Sequence, residues 1–276
     1  MPRAARLRGA VLSVAWAVLA TTADSAEIAG DLYQSTVFTT GQGEETRGSA
    51  LGRALEAVLV KVSGDPRLAS DARVETIGAT AADYVDSFSY RDRMAGIPVH
   101  DEQGSRDRPY DLTVVFRPDG IDEALDALGS APWSGPRPEL LVLVAVRNGS
   151  TEFILAVDGA KGRDMREAMA AAAEQFGMQT TLPKEAALAE AGIAGRGGAD
   201  LAPAALDALA IDSGADIPLS GTLTWSDADL GWDAAWRMTA DGIPYRWQAH
   251  RVSFDQAFRT AVGGAAQILS GHGAPN

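Results

Sequence analysis

The side chains that could do chemistry are few, and their spacing rarely matches a known arrangement. Asp227 and Asp229 stand between Trp225 and Trp232. Two carboxylates beside indoles resemble a sugar-processing cleft, with one group serving as acid and the other as base or nucleophile. The plainer account is a loop between two antiparallel strands, where Asp bonds to nearby backbone. His100, His250 and His272 are the only histidines, and no two are spaced as metal ligands on one element. His100-Asp101-Glu102 with Asp107 makes either a weak cation site or a solvated loop. Ser63 and Ser220 adjoin glycines, but the chain holds no Gly-x-Ser-x-Gly elbow. Gly41-Gln42-Gly43 is a fragment of a phosphate loop without its closing Lys-Ser/Thr, and reads as a turn. Cysteine is absent, which removes disulfides, thiol nucleophiles, cysteine metal sites and lipid attachment at a cysteine. The expectation is a protein without catalytic residues, bound metal or cofactor.

Trp225, Trp232, Trp236 and Trp247 fall close together on three consecutive predicted strands. Indoles alternating on strands stabilise a core through cross-strand pairs. Aromatic residues are also enriched at interfaces, so these four are the candidate binding residues, as an exposed platform for a partner or a glycan.

Stepping from side chains to the elements that carry them, Glu44 to Asp65 shows Ala50, Leu51, Ala54, Leu55, Val58, Leu59 and Val62 along one helical face. Ser63-Gly64-Asp65-Pro66 is its stop signal. A strand over Leu32–Thr39 precedes it and a second helix over Ser70–Asp86 follows. Strands over Ser87–Ile97 and Tyr110–Phe116 flank a polar loop, and Asp119 is the expected cap of a helix over Ile121–Leu128. In the second half, Leu140–Val146 is a continuous apolar run, the mark of a strand covered on both faces. Asn148-Gly149 and Asp241-Gly242 are hairpin signals. Asp164-x-x-Glu167 and Ser253-x-x-Gln256 read as capping boxes, and Gly192–Gly198 as a turn. The fold class is α/β (α+β): two small domains, each a mixed or antiparallel sheet packed with helices. The expected division is a signal peptide at 1–26, an α+β domain at 27–129, a proline-rich linker at 130–138, an α/β sandwich at 139–270 and a disordered tail at 271–276.

Arg3, Arg6 and Arg8 followed by the apolar Gly9–Ala20 and a small-residue stretch to Ala26 form an export signal. The apolar run is short of the roughly 20 residues that span a bilayer, so cleavage is expected rather than anchoring, with a periplasmic product. Without those residues the formal charge moves from −13 to −15, since three arginines and Asp24 are lost. Such a surface repels phosphate backbones and anionic lipid, which argues against nucleic acid and stable membrane insertion as partners.

Several residues together resemble the exported bacterial proteins grouped as domain of unknown function 2066. They are Leu32-Tyr33, Arg47, Ala50-Leu51, Ala54-Leu55, the run Val58 to Asp65, Phe88-x-Tyr90, Trp133 with Arg137-Pro138, Leu140 onward, and Gly214-Ala215-Asp216 with Leu219-x-Gly221. The resemblance implies an envelope location and a two-part layout, and no catalytic residue. The functional expectation is a non-enzymatic binding or scaffolding protein whose partner is an envelope protein or cell-wall component. The alternatives are a cell-wall glycan hydrolase using Asp227 or Asp229, and a small-molecule carrier with its pocket between the domains.

Overall fold

In the computed structural model, which describes residues 32–96, 108–193 and 201–275, the long helix α1 (Glu44–Ser63) is the cover of a small sheet. Its buried residues Ala50, Leu51, Ala54, Leu55, Val58, Leu59 and Val62 are the predicted stripe. Glu44 and Glu45 sit at its positive end, and the helix stops at Gly64, whose φ of 74° suits a glycine. The sheet it covers is antiparallel, in the order β1-β3-β2, with β1 at Gln34–Thr40, β2 at Val85–Asp92 and β3 at Pro109–Phe116. Leu112, Val114 and Phe116 alternate into the core, while Thr36 and Thr113 pair on the outer, solvated face with their hydroxyls 2.9 Å apart.

The expected single helix over Ser70–Asp86 is instead three pieces. A 3₁₀ turn at Pro66–Ser70, helix α2 at Ala72–Gly78 and a second 3₁₀ turn at Ala81–Tyr84 lead straight into β2. The break falls where Gly78 and Gly52 of α1 meet backbone to backbone: a Cβ on Gly52 would lie 3.2 Å from the Gly78 carbonyl oxygen. Helix α3 (Pro118–Ala127) is capped by Arg117 with proline at its first position; Asp119 lies in its first turn and is not the cap.

The second half is a six-stranded mixed sheet in the order β5-β4-β7-β8-β9, with β6 parallel to the start of β4. Its strands are β4 (Leu140–Asn148), β5 (Thr151–Ile154), β6 (Thr180–Thr181), β7 (Ile217–Ser226), β8 (Gly231–Ala240) and β9 (Ile243–Val252). Strand β4 runs parallel to β6 and β7; the pairs β4-β5, β7-β8 and β8-β9 are antiparallel. Helices α4 (Arg163–Phe176) and α7 (Phe254–Leu269) pack together over one face. Helices α5 (Glu185–Glu190) and α6 (Pro203–Asp212) cover β4 on the other, where Leu141 and Leu143 meet Leu188, Leu206 and Leu209. Residues Leu140 to Val146 are all buried, as a doubly covered strand requires. Ser253 caps α7 through Gln256 N–H, as expected. Helix α4 has no such box: Gly162, at φ 75°, is its cap, and Asp164 lies in the first turn.

One apolar cluster runs through both halves, from Leu55, Leu59 and Phe116 to Val142, Met169, Trp236 and Phe258. The tail expected to be disordered turns back along α7 as far as it is described, with Gln267 Nε2 donating to the Ala274 carbonyl at 3.0 Å. The expected export signal at residues 1–26, the loop with His100, Asp101, Glu102 and Asp107, and most of the Gly192–Gly198 turn lie outside the described residues.

Candidate functional site

Strand β1 is an outer strand of its sheet, and the chemistry of its edge is set by register. The N–H of Phe116 donates to Tyr33 and that of Gly41 donates to Arg108, so odd-numbered β1 residues bond to β3. In an antiparallel ladder the alternate residues must then aim their N–H and C=O groups outward. These are Gln34, Thr36, Phe38 and, at the end of the strand, Thr40. Lys61 Nζ donates to the Gln34 carbonyl at 2.9 Å, and Arg53 Nη2 to the Phe38 carbonyl at 2.8 Å. The spacing is geometric: eight helical residues rise about 12 Å, close to the roughly 13 Å covered by four strand residues. Midway between them α1 presents Ala57, whose methyl offers no donor. The backbone of Thr36 therefore has no partner on its outer side among the described residues.

That opening gives onto a cleft of about 600 Å³ between the halves. One wall is β1 with Ala57 and Lys61 of α1, and the other is the C-terminal end of α4 with Gly177, Met178 and Gln179. The volume lies within the range of ligand pockets, and Gln34, Gln175 and Gln179 supply polar groups beside Val37, Leu32 and Met178.

The far wall of the cleft is fixed in place by Arg137. Its guanidinium donates to the carbonyls of Lys61 and Val62 (2.7 and 3.2 Å) and of Phe176 and Gly177 (3.0 and 3.4 Å). Those are the last carbonyls of α1 and α4, the negative ends of two helices. One arginine thus caps a helix from each half. The Trp133 ring stacks on it at 4.4 Å, and the Trp133 backbone N–H donates to the Val62 carbonyl. Burial lowers this guanidinium to about 10, partly offset by Tyr33, so it stays charged at neutral pH.

A third helix end joins from α7. Ser270 Oγ lies 2.8 Å from His272 Nδ1 and bonds the Gly64 and Gln267 carbonyls, and His272 Nε2 lies 4.0 Å from Asp65. These are the residue types of a nucleophilic triad, but both Asp65 oxygens are taken by Arg67 at 2.8 Å, and none of the three lines the cleft. They act as a clasp. Burial raises the Asp65 pKa, but the Arg67 side-chain and backbone bonds, its charge and His272 outweigh that and hold the carboxyl below its usual 3.8.

The tryptophans lie elsewhere. Trp232, Trp236 and Trp247 are buried, and Trp225 is partly so. Trp236 faces Phe258 at 6.2 Å, Trp247 Nε1 donates to the Thr260 carbonyl of α7, and Trp225 and Trp232 form an edge-to-face pair 5.4 Å apart. Trp232, Trp236 and Trp247 thus pack as an aromatic core, 7%, 2% and 3% exposed, and do not form the exposed platform of the other reading. Asp227 accepts from Trp225 Nε1 at 2.8 Å and Asp229 from Ser226 Oγ at 2.9 Å, the turn-making roles. His250 pairs with Asp233. Ser63 Oγ donates to the Leu59 carbonyl within α1. Among the described residues no group of three or more His, Asp or Glu side chains is placed to hold a metal ion.

Arg53, Thr36 and Arg137 were missed as functional residues by sequence reasoning. Arg53 and Lys61 were visible as basic residues beside the apolar stripe, but their target, the edge of β1, appears only once the register is known.

Fold and cleft together define an α+β protein with a ligand-sized opening along a sheet edge. A family model described as a domain of unknown function (DUF8605) matches residues 26–134. Over that stretch, which takes in β1, α1, α2, β2, β3 and α3, the chain carries a domain of unknown function. The matching model is not the domain of unknown function 2066 family that the motif residues resemble. No curated protein matches the chain.

Proposed function

We propose that the chain is a non-enzymatic binding protein that takes an extended segment of a partner polypeptide into the cleft along the edge of β1. The observation that carries this reading is the outward backbone of Thr36, open to about 600 Å³ of space between two capped neighbours. Strand addition to a sheet edge obtains affinity from main-chain bonds and selectivity from pockets for alternate side chains. Here Val37 and Met178 supply apolar surface and the glutamines supply polar ends. The N-terminal arginines and apolar run support export to the envelope, and an envelope protein is then the natural partner. The likeness to the domain of unknown function 2066 proteins, through Val58 to Asp65 and Trp133 with Arg137, belongs to the same proposal.

The test is a library of randomised extended peptides selected on the full chain and then measured on Thr36→Pro. Proline removes the outward N–H and the Thr36–Thr113 hydroxyl bond but none of the backbone bonds to β3, so the strand can stay paired. Enriched peptides should bind the native chain and lose at least tenfold in affinity for the variant. No enrichment, or equal binding by a variant of unchanged circular dichroism, would refute strand addition.

A further inference from the structure

The face of the six-stranded sheet that α5 and α6 leave uncovered carries an arrangement unrelated to the cleft. Arg237 of β8 and Arg246 of β9 are direct partners in the register, with Ser220 of β7 next in the same row. The neighbouring row is Thr222, Ala235 and Gln248. These two rows enclose a depression of about 270 Å³.

Like charges placed directly opposite on a sheet destabilise it. In a chain with 37 acidic residues against 24 basic ones, carboxylates to relieve the pair are plentiful. Yet neither arginine forms an ion pair among the described residues, and none of the residues lining the depression is acidic. Asp207 shares a smaller adjoining cavity of about 100 Å³ with Ser220, Arg237 and Arg246 but forms no ion pair with either arginine, and Asp233 is bonded to His250 at 3.0 Å. An exposed arginine on an edge strand, taken alone, is a guard against strand pairing, which would account for Arg246. It does not account for Arg237, which is half-buried and held in place: Nε donates to Ser220 Oγ at 2.9 Å and Nη2 to the Leu201 carbonyl at 3.0 Å. Those two bonds orient the guanidinium and leave its remaining N–H groups for another acceptor.

We propose that this depression is a binding site for a compact oxyanion, a phosphate or carboxylate group, clamped between Arg237 and Arg246. Planar guanidinium forks match such oxyanions two bonds at a time, and Thr222 and Gln248 add neutral donors at the rim. The size suits a small organic anion or the charged end of a larger one.

The experiment measures thermal unfolding of the full chain with inorganic phosphate or with malonate, each against chloride at equal ionic strength. At about ten times its Kd the clamped anion should raise the native midpoint by roughly 3 °C. Whichever anion raises it more identifies the source. Arg246→Gln should lose that rise and, without anion, should melt higher than the native chain because the repulsion is gone. A purely structural role for Arg246 would not produce this reversal. Arg91→Gln, which removes another exposed arginine, should keep the rise. The proposal is overturned if neither anion exceeds chloride, or if Arg246→Gln responds as the native chain does. Arg237→Gln should also lose the rise; should it not fold, Arg246→Gln decides alone.

Discussion

At the scale of single residues, the second half is built on glycines that receive aromatic rings. A Cβ on Gly221 would lie 2.2 Å from the Trp236 ring, and one on Gly264 would lie 2.6 Å from Trp247 Nε1. Gly221→Ala should therefore cost about 3 kcal/mol, the upper end of overpacking, with part of it recovered in combination with Trp236→Leu. Denaturant unfolding of both variants checks this. Asp65 carries a second residue-scale prediction, on acid stability. Its carboxyl titrates lower in the folded chain than its usual 3.8, so its contribution is complete above about pH 4 and is lost as pH falls through the lower folded value. Asp65→Asn should be less stable than the native chain at neutral pH by about 1 to 2 kcal/mol, because Arg67 is half exposed and the bond partly screened. The gap should close on acidification below about pH 4, as followed by unfolding at stepped pH. A constant gap would show that the charge of Asp65 does not matter.

At the scale of elements, register makes a contrast that composition cannot. Ser35 bonds to β3 and Thr36 faces away, although they are adjacent and similar in chemistry. Ser35→Pro should cost about 3 kcal/mol and Thr36→Pro about 1 kcal/mol, measured by the same unfolding curves. Equal costs would mean that the outward assignment of Thr36 is wrong. The elements most legible in the sequence were those whose signal is local. The stripe of α1, the apolar run of β4, the Ser253 cap and the hairpin at Asp241-Gly242 each depend on neighbours a few residues away. The segment after Pro66 misled because its break depends on Gly78 touching Gly52, in another helix. The cleft was illegible for the same reason. Thr36, Ala57 and Gln179 meet only because β1, α1 and the start of β6 are brought together, and no periodicity records that meeting. Asp164 and Asp119 looked like caps because Asp is good at that position, but Gly162 and Pro118 fix the start of each helix instead.

At the scale of the whole molecule, the two sheets share one apolar cluster and a polar joint. Arg137→Ala would take its donor from the carbonyls of Lys61, Phe176 and Gly177, with Val62 keeping the Trp133 N–H, a cost of about 3 kcal/mol or more concentrated at the seam. The native chain should unfold in one calorimetric transition whose enthalpy matches its van't Hoff value. In Arg137→Ala that transition should broaden or split; Arg137→Lys should fall between, since an ammonium cannot reach four carbonyls as a fork does. A single sharp transition in Arg137→Ala would mean that the apolar cluster alone couples the halves. The guarding of β1 by Arg53 and Lys61 has a consequence at this scale too. With the outward carbonyls of Gln34 and Phe38 already occupied, pairing of two copies of the chain along this border loses acceptors on either side of Thr36, which works against the continuous ladder a fibril needs. What remains is a keyhole one rung wide, able to admit a visitor while denying the protein its own reflection.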